Sequence, residues 1–405
     1  LVAEFTLSQG ATAEVGGVVQ ESGVTANDFS NPLTYTIVAE DGSSADYQVQ
    51  VIYTRWDSGY PALTAGTRSL RMEVALSEPG TLYYMISTTR QDHLTASEIY
   101  SMVKQGNAAG TIQVDSISLE SAYQDSALIL EGLFNESSTY FVHFTMQTNE
   151  VDVENAPVSI HSFQTQAYET VLPAGSANTP QGLLQYVPDA YYTRPGEKMP
   201  VLIFFHGLGF EGDGSYSELV NKVKISIPQG VKDITHPHLL FVPQCVSNWW
   251  VAGNIEQTVD HILDNFNIDT NRLYITGLSM GGSAVTQALD RFPEKIAAAV
   301  PVAAAGILEN PLSEVPVWSL HNKYDPVVPV EHTYLITDTI LAAGGTSILS
   351  TPASLSHDAW NNTYNNQRVW DWLFAQQKDE AYHQASVLTA SEIPDPVTLD
   401  GQLQE

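Results

Sequence analysis

From about residue 183 the chain repeats one pattern: an unbroken apolar run of strand length, then a stretch whose apolar residues recur at helical spacing. The runs are "MPVLIFFHGLG" (Met199–Gly209), "HLLFVPQC" (His238–Cys245), "NRLYITGLS" (Asn271–Ser279), "IAAAVPVAA" (Ile296–Ala304) and "VPVWSLHNKYD" (Val315–Asp325). Strands that lack polar alternation are buried on both faces, as in parallel sheets covered by helices. Between them, "NIEQTVDHILDNFN" sets Ile255, Val259, Ile262, Leu263 and Phe266 on one helical face. "GGSAVTQALDRFP" does the same with Ala284, Val285, Ala288 and Leu289 before Pro293 stops it. The alternation predicts a C-terminal α/β domain over 183–378, its functional groups gathered beyond the carboxyl ends of the strands.

The first 168 residues have a different texture. Tyr35, Ile37 and Ala39 alternate before "EDGS", and Tyr47, Val49 and Val51 alternate after it, which predicts a β-hairpin turning at Asp41-Gly42. Residues 1–53 read as part of a β-sandwich. Residues 54–168 continue in short strands, with Leu70, Met72, Val74 and Leu76 in strict alternation and "TASEIYSMVKQG" (Thr95–Gly106) as a helical insertion. "LEGLFNESSTYFVHF" resembles the late strands of a fibronectin type III or Ig-like sandwich. The polar, small-residue stretch 169–182 suits a linker, and 379–405 an acidic, loosely ordered tail.

Charge narrows the partners. Against 46 acidic residues stand 16 basic ones, a net charge of −30 across 405 residues, which repels nucleic acid and anionic membrane surfaces. Cys245 is the only cysteine, so neither an intrachain disulfide nor a multi-cysteine metal site exists, and the redox compartment stays open. No apolar run of about 18 residues occurs, which argues against membrane insertion. The chain opens "LVAEF" without methionine, as a processed chain does.

"YITGLSMGG" carries the chemistry. Gly277-Leu278-Ser279-Met280-Gly281 fits G-x-S-x-G at a strand-to-helix junction, where the pattern means a nucleophile elbow. The glycines allow the residues on either side of the serine to approach, and the turn lifts the Ser279 hydroxyl above the sheet. A serine hydroxyl needs a base, and the base an orienting acid, in the chain order Ser, Asp or Glu, His. Asp325, beyond the next-but-one strand, and His357 in "SLSHDAW" meet that order. Of the other histidines, His206 suits bracing of its loop and His321 a core position inside a strand. His236, His238 and His261 precede the serine; His332 comes one helix too early; His383 falls in the tail. Asp358 adjoins His357 and points away from the ring it would orient. "FFHGLG" supplies an oxyanion loop in which the Leu208 amide faces the Met280 amide, and backbone donors ask for no polar side chain at either position.

Together "FFHGLG", "GLSMGG", "HNKYDPVVP" and "SHDAW" resemble the α/β-hydrolase superfamily. The similarity runs over about residues 180–378 and is greatest to the branch of secreted esterases and dienelactone-hydrolase-like and polyhydroxyalkanoate-depolymerase-like proteins. It implies a serine esterase that uses no cofactor or metal. "NDFSNPLTYTIVAEDGS" resembles Ig-like repeats of secreted bacterial proteins, which implies an extracellular or cell-surface setting. The β modules are either a tether to a polymer or a spacer. Only "AGILENPLSE" separates two successive strands, so no lid domain fits there and an open site for short-chain or polymer-linked esters is expected. Trp249, Trp250 and Trp360 stand equally as substrate walls or as packing under the loops. A serine peptidase uses the same triad, and a glycan-binding adhesin with a silent hydrolase domain would account for the β modules alone.

Overall fold

The computed structural model describes residues 1–29, 31–49, 56–106, 109–149, 151–176, 179, 181–310 and 312–378. The expected tail, 379–405, lies outside the described residues. The chain divides into two compact units: Leu1–Leu63, Arg71–Ile129 and Thr139–Gln164 form one, and Thr64–Leu70, Leu130–Ser138 and the chain from Thr165 onward form the other. The expected boundary near residue 168 is therefore corrected. Segments 64–70 and 130–138 fold with the C-terminal unit, where the Asp189 carboxylate accepts from the Arg68 amide at 2.8 Å and the Ser69 amide at 3.1 Å.

The first unit is antiparallel β. Thr12–Val15, Val18–Gln20, Leu33–Val38 and Ser44–Val49 make a four-stranded sheet, and the hairpin expected around Asp41-Gly42 joins the last two. Gly42 takes a left-handed φ of 82°, and the Asp41 carboxylate accepts from the Ser43 amide at 2.9 Å, closing the turn. A second sheet orders Ser159–Gln164, Thr139–Thr148, Gly80–Ser87 and Gln113–Leu119 side by side. The expected insertion is the helix Ala96–Gln105. Thr95 and Glu98 form a capping box at its start, Gly106 ends it at φ 74°, and Ile99 buries against Tyr83 and Met85.

The second unit is built on one eight-stranded sheet: β1 (Glu169–Leu172), β2 (Leu183–Tyr186), β3 (Met199–Phe205), β4 (Leu239–Pro243), β5 (Ile268–Leu278), β6 (Ala298–Val302), β7 (Val317–Leu320) and β8 (Ser347–Ser350). The spatial order is β1-β2-β4-β3-β5-β6-β7-β8. β1 and β2 pair antiparallel with their neighbours, and all pairs from β4 to β8 are parallel. The stretch expected as a linker thus supplies the edge strand β1. Its four residues "ETVL" are too few and too aperiodic to reveal strand character by themselves, and pairing with β2 decides it.

Both faces of the sheet are covered, which is why the runs are unbroken. Val201, Ile203, Phe205, Leu273 and Ile275 face the helices Ala252–Asn265, Met280–Arg291 and Glu331–Ala342. Leu202, Phe204 and Tyr274 face the helix Gln367–Ala375 with its Trp370, Trp372 and Leu373. This is the α/β-hydrolase architecture, and it points the exits of six parallel strands to one edge. Ile275→Ala, in the fully buried middle of β5, is expected to cost about 2–5 kcal/mol in chemical denaturation. A loss below about 1 kcal/mol would mean that β5 is not the packed centre of the sheet.

Candidate active site

β5 turns into the helix Met280–Arg291 within one residue, and Ser279 is that residue. Its φ of 54° and ψ of −118° are sparsely populated for a side-chain-bearing residue, a strain the surrounding contacts must hold. The Ser279 amide donates to the Val302 carbonyl at 2.9 Å, and its carbonyl accepts from the Ser283 amide at 3.1 Å. A Cβ on Gly277 would overlap the Gly281 carbonyl, and one on Gly281 would overlap the Phe205 carbonyl. The turn therefore closes only with glycine at both positions.

The structure brings Ser279, His357 and Asp325 together. His357 Nε2 lies 2.9 Å from Ser279 Oγ, and His357 Nδ1 lies 2.6 Å from Asp325 Oδ2. The Asp325 side chain is fully buried, whereas that of His357 keeps 19% exposure, so one end of the array is dry and the other open to solvent. The second carboxylate oxygen, Oδ1, accepts from the Val327 amide at 2.8 Å and the Val328 amide at 3.1 Å. Burial works to raise the Asp325 pKa; the hydrogen bonds from His357 and the two amides outweigh it and hold the carboxyl below its ordinary range. Asp358 is engaged elsewhere: its carboxylate accepts from the Asn361 amide at 3.0 Å, at the start of the short helix Trp360–Tyr364.

The loop after β3 is held from several sides. Gly207 packs against Leu278 and Ser279, so the amide of Leu208 follows directly beside Ser279. Among the described residues, neither the Leu208 nor the Met280 amide donates to a turn, loop or side-chain acceptor. The Gly209 amide donates to Glu211 Oε2 at 2.7 Å. His206 is fully buried; its Nε2 accepts from the Cys245 amide at 3.0 Å, so its Nδ1–H donates to the Gly207 carbonyl at 2.8 Å. Gln244, which no sequence motif marks, donates to the Phe210 carbonyl at 2.9 Å and accepts from the Gly214 amide at 2.9 Å. Its position next to Cys245 at the end of β4 was the available signal.

The three tryptophans separate. Trp250 is 2% exposed, stacks edge-on against Phe205 and donates from Nε1 to the His206 carbonyl at 3.2 Å. It supports the loop from below, so of the two readings open to it packing fits and the substrate wall does not. Trp360 sets its ring edge-on to His357 with centroids 5.2 Å apart, and Trp249 is 48% exposed. His321 is also relocated: it lies one residue beyond β7, and its Nε2 is 3.2 Å from Asp325 Oδ2. Asn322, which no sequence motif marks, joins the two loops by donating from Nδ2 to the Ser356 carbonyl at 2.7 Å.

Comparison with known proteins adds five similarities. A family described as phospholipase/carboxylesterase matches residues 250–367, and one described as SGBP, N-terminal, matches residues 1–51. A bifunctional acetylxylan esterase/xylanase of Neocallimastix patriciarum is 30% identical over 90 residues, which are 20% of this chain and span only 13% of that relative's length. The structure of a thermostable esterase is similar at 20% identity and a TM-score of 0.44, over 78% of this chain and 98% of that one. A feruloyl esterase module from Clostridium thermocellum complexed with sinapinate is similar at 13% identity and a TM-score of 0.37, over 50% and 86%.

Two outcomes are expected. Gly281→Ala forces the elbow away from Phe205 and lowers the melting temperature; a variant that melts with the wild type would refute the close approach. Burial holds the His206 pKa down at about 4, against the pull of the Gly207 carbonyl. Because the folded value lies below the unfolded value of about 6.5, this contribution is complete above that pH and is lost as pH falls toward 4, up to about 3 kcal/mol. Denaturation from pH 7 to 4 is expected to show a shallower acid loss in His206→Gln than in the wild type, and equal slopes would contradict it.

Proposed function

We propose that this protein is a serine carboxylesterase in which Ser279 is the nucleophile, His357 the general base and Asp325 the residue that orients it. The observation that carries this reading is the serine at φ 54° with Oγ 2.9 Å from an imidazole whose other nitrogen meets a buried carboxylate. His357 Nε2 takes the hydroxyl proton as Ser279 Oγ attacks the ester carbonyl carbon. The tetrahedral oxyanion is held by the Leu208 and Met280 amides, and collapse expels the alcohol, which receives the proton from His357. Water, deprotonated by the same nitrogen, then attacks the acyl-enzyme, and the acid leaves with Ser279 restored. Asp325 keeps Nδ1 protonated and Nε2 free to accept, and it stabilises the imidazolium between the two halves.

An ester presented on a polymer, above all a polysaccharide, fits the site better than a soluble lipid. Each parallel strand other than β5 exits into a loop bearing an exposed apolar residue: Leu208 after β3, Trp249 after β4, Ile307 after β6, Tyr324 after β7 and Leu355 after β8. Such residues around an uncovered nucleophile suit a substrate that lies across the strand ends. The acetylxylan esterase among the relatives favours a carbohydrate ester, and the match of residues 1–51 to SGBP, N-terminal favours action at or outside the cell surface. Ser279→Ala is expected to reduce hydrolysis of p-nitrophenyl acetate and butyrate by more than about 1000-fold while leaving the melting temperature unchanged. Undiminished turnover would remove the assignment. A panel of acetylated xylan, feruloyl esters, aliphatic polyester and aminoacyl amides, run on the wild type, separates the substrate classes.

A further inference from the structure

Asp325 receives more donors than an orienting carboxylate requires. The Val327 and Val328 amides occupy Oδ1, and Oδ2, the oxygen that meets His357 at 2.6 Å, also faces His321 Nε2 at 3.2 Å. Both side chains of the His321–Asp325 pair are fully buried. His321 is itself fixed by the helix Glu331–Ala342: its Nδ1 lies 2.6 Å from Thr333 Oγ1, and its Nε2 lies 3.0 Å from the Val328 carbonyl. A carbonyl only accepts, so Nε2 carries the proton, and that one proton is divided between the Val328 carbonyl at 3.0 Å and Asp325 Oδ2 at 3.2 Å; in the neutral ring Nδ1 accepts from the Thr333 hydroxyl. Burial, the largest influence, lowers the His321 pKa and favours that neutral state.

We propose that His321 is a positioning residue of the hydrolytic site: its Nε2–H, held in place by Thr333, shares Asp325 Oδ2 with His357 and so fixes the direction and tempers the basicity of the orienting carboxylate. The proposal rests on the assignment of Ser279, His357 and Asp325 given above. It extends the line of contacts from Ser279 Oγ through His357, Asp325 and His321 to Thr333, and thereby ties the nucleophile to the helix packed behind β7 and β8. A neutral donor serves better here than a cation. It holds the carboxylate without cancelling the negative charge that His357 needs when it becomes imidazolium. The titratable groups facing His321 are Asp325 and His357 from the loops after β7 and β8; His332 neighbours Thr333 on the helix, and Lys323 and Glu331 are turned to solvent.

The test compares His321→Leu, His321→Gln and Thr333→Val with Ser279→Ala and the wild type, by kcat and KM on p-nitrophenyl acetate and by the pH profile of kcat/KM. Loss of a buried donor to a charged acceptor costs about 10-fold or more in rate. His321→Leu is therefore expected to lower kcat about 10-fold with KM little changed. Its acid limb is expected to move up by about half a pH unit, since a carboxylate relieved of one donor holds the imidazolium more tightly. His321→Gln, whose amide restores a donor, returns the limb toward the wild-type position. Thr333→Val, which leaves the ring in place and frees its tautomer, shifts it by a smaller amount in the same direction, and it decides the matter should His321→Leu fail to fold. A wild-type acid limb in Thr333→Val and in His321→Leu, or equal loss in the Leu and Gln variants, overturns the positioning role. If Ser279→Ala retains turnover, the proposed function fails first and His321 falls with it; an inactive Ser279→Ala beside an unshifted His321→Leu refutes His321 alone.

Discussion

The approach of β5 to the helix that follows it sets the rest of the site. Backbone at Gly277 meets backbone at Gly281, and Gly281 in turn lies on the Phe205 carbonyl at the end of β3. No side chain fits between them, so the strand and helix can close to a distance that leaves one residue for the turn. That residue, Ser279, takes up the strain in a left-handed φ, and its hydroxyl is raised toward the loops from β7 and β8. The unfavourable conformation persists because the parallel sheet beneath it, packed on both faces, leaves the chain no other path.

Around that point the loops are fixed in different ways. The loop after β3 is held by side chains and amides at the end of β4, with His206, Gln244, Cys245 and Trp250 all bonded across the gap. The Asp325 and His357 loops are held to one another, through Asn322 and the Ser356 carbonyl and through the carboxylate itself. The polar groups involved are largely buried, and an unpaired one there costs roughly 1–3 kcal/mol, so the networks hold as units. The Ser279–His357 end stays open to solvent, and the Asp325 end does not.

Much of this is legible in the chain. The apolar runs mark every parallel strand from β3 to β7, because burial on both faces removes the alternation a half-exposed strand would keep. The order of Ser279, Asp325 and His357 is legible because each stands at a strand exit on one edge of such a sheet. The edge strand β1 is not, since four residues with intermediate burial carry no period, and neither is the mixing of segments 64–70 and 130–138 with the C-terminal unit. The first depends on pairing with β2 across an intervening loop, and the second on contacts between residues far apart in sequence, such as Arg68 with Asp189.

By itself, then, the sequence determined the sheet, the elbow and the identity of the residues that meet there, because hydrophobic period and glycine placement are local properties of a chain. Only the tertiary structure decided what surrounds them. Trp249 and Trp250 are adjacent and alike in composition, yet one is exposed and the other seals the floor of the loop after β3. His321 reads as a core histidine and is fully buried, but that it stands against Asp325 is visible only in the fold. Which face a side chain takes at a strand exit depends on the packing of loops brought together from distant parts of the chain, and no local pattern records that.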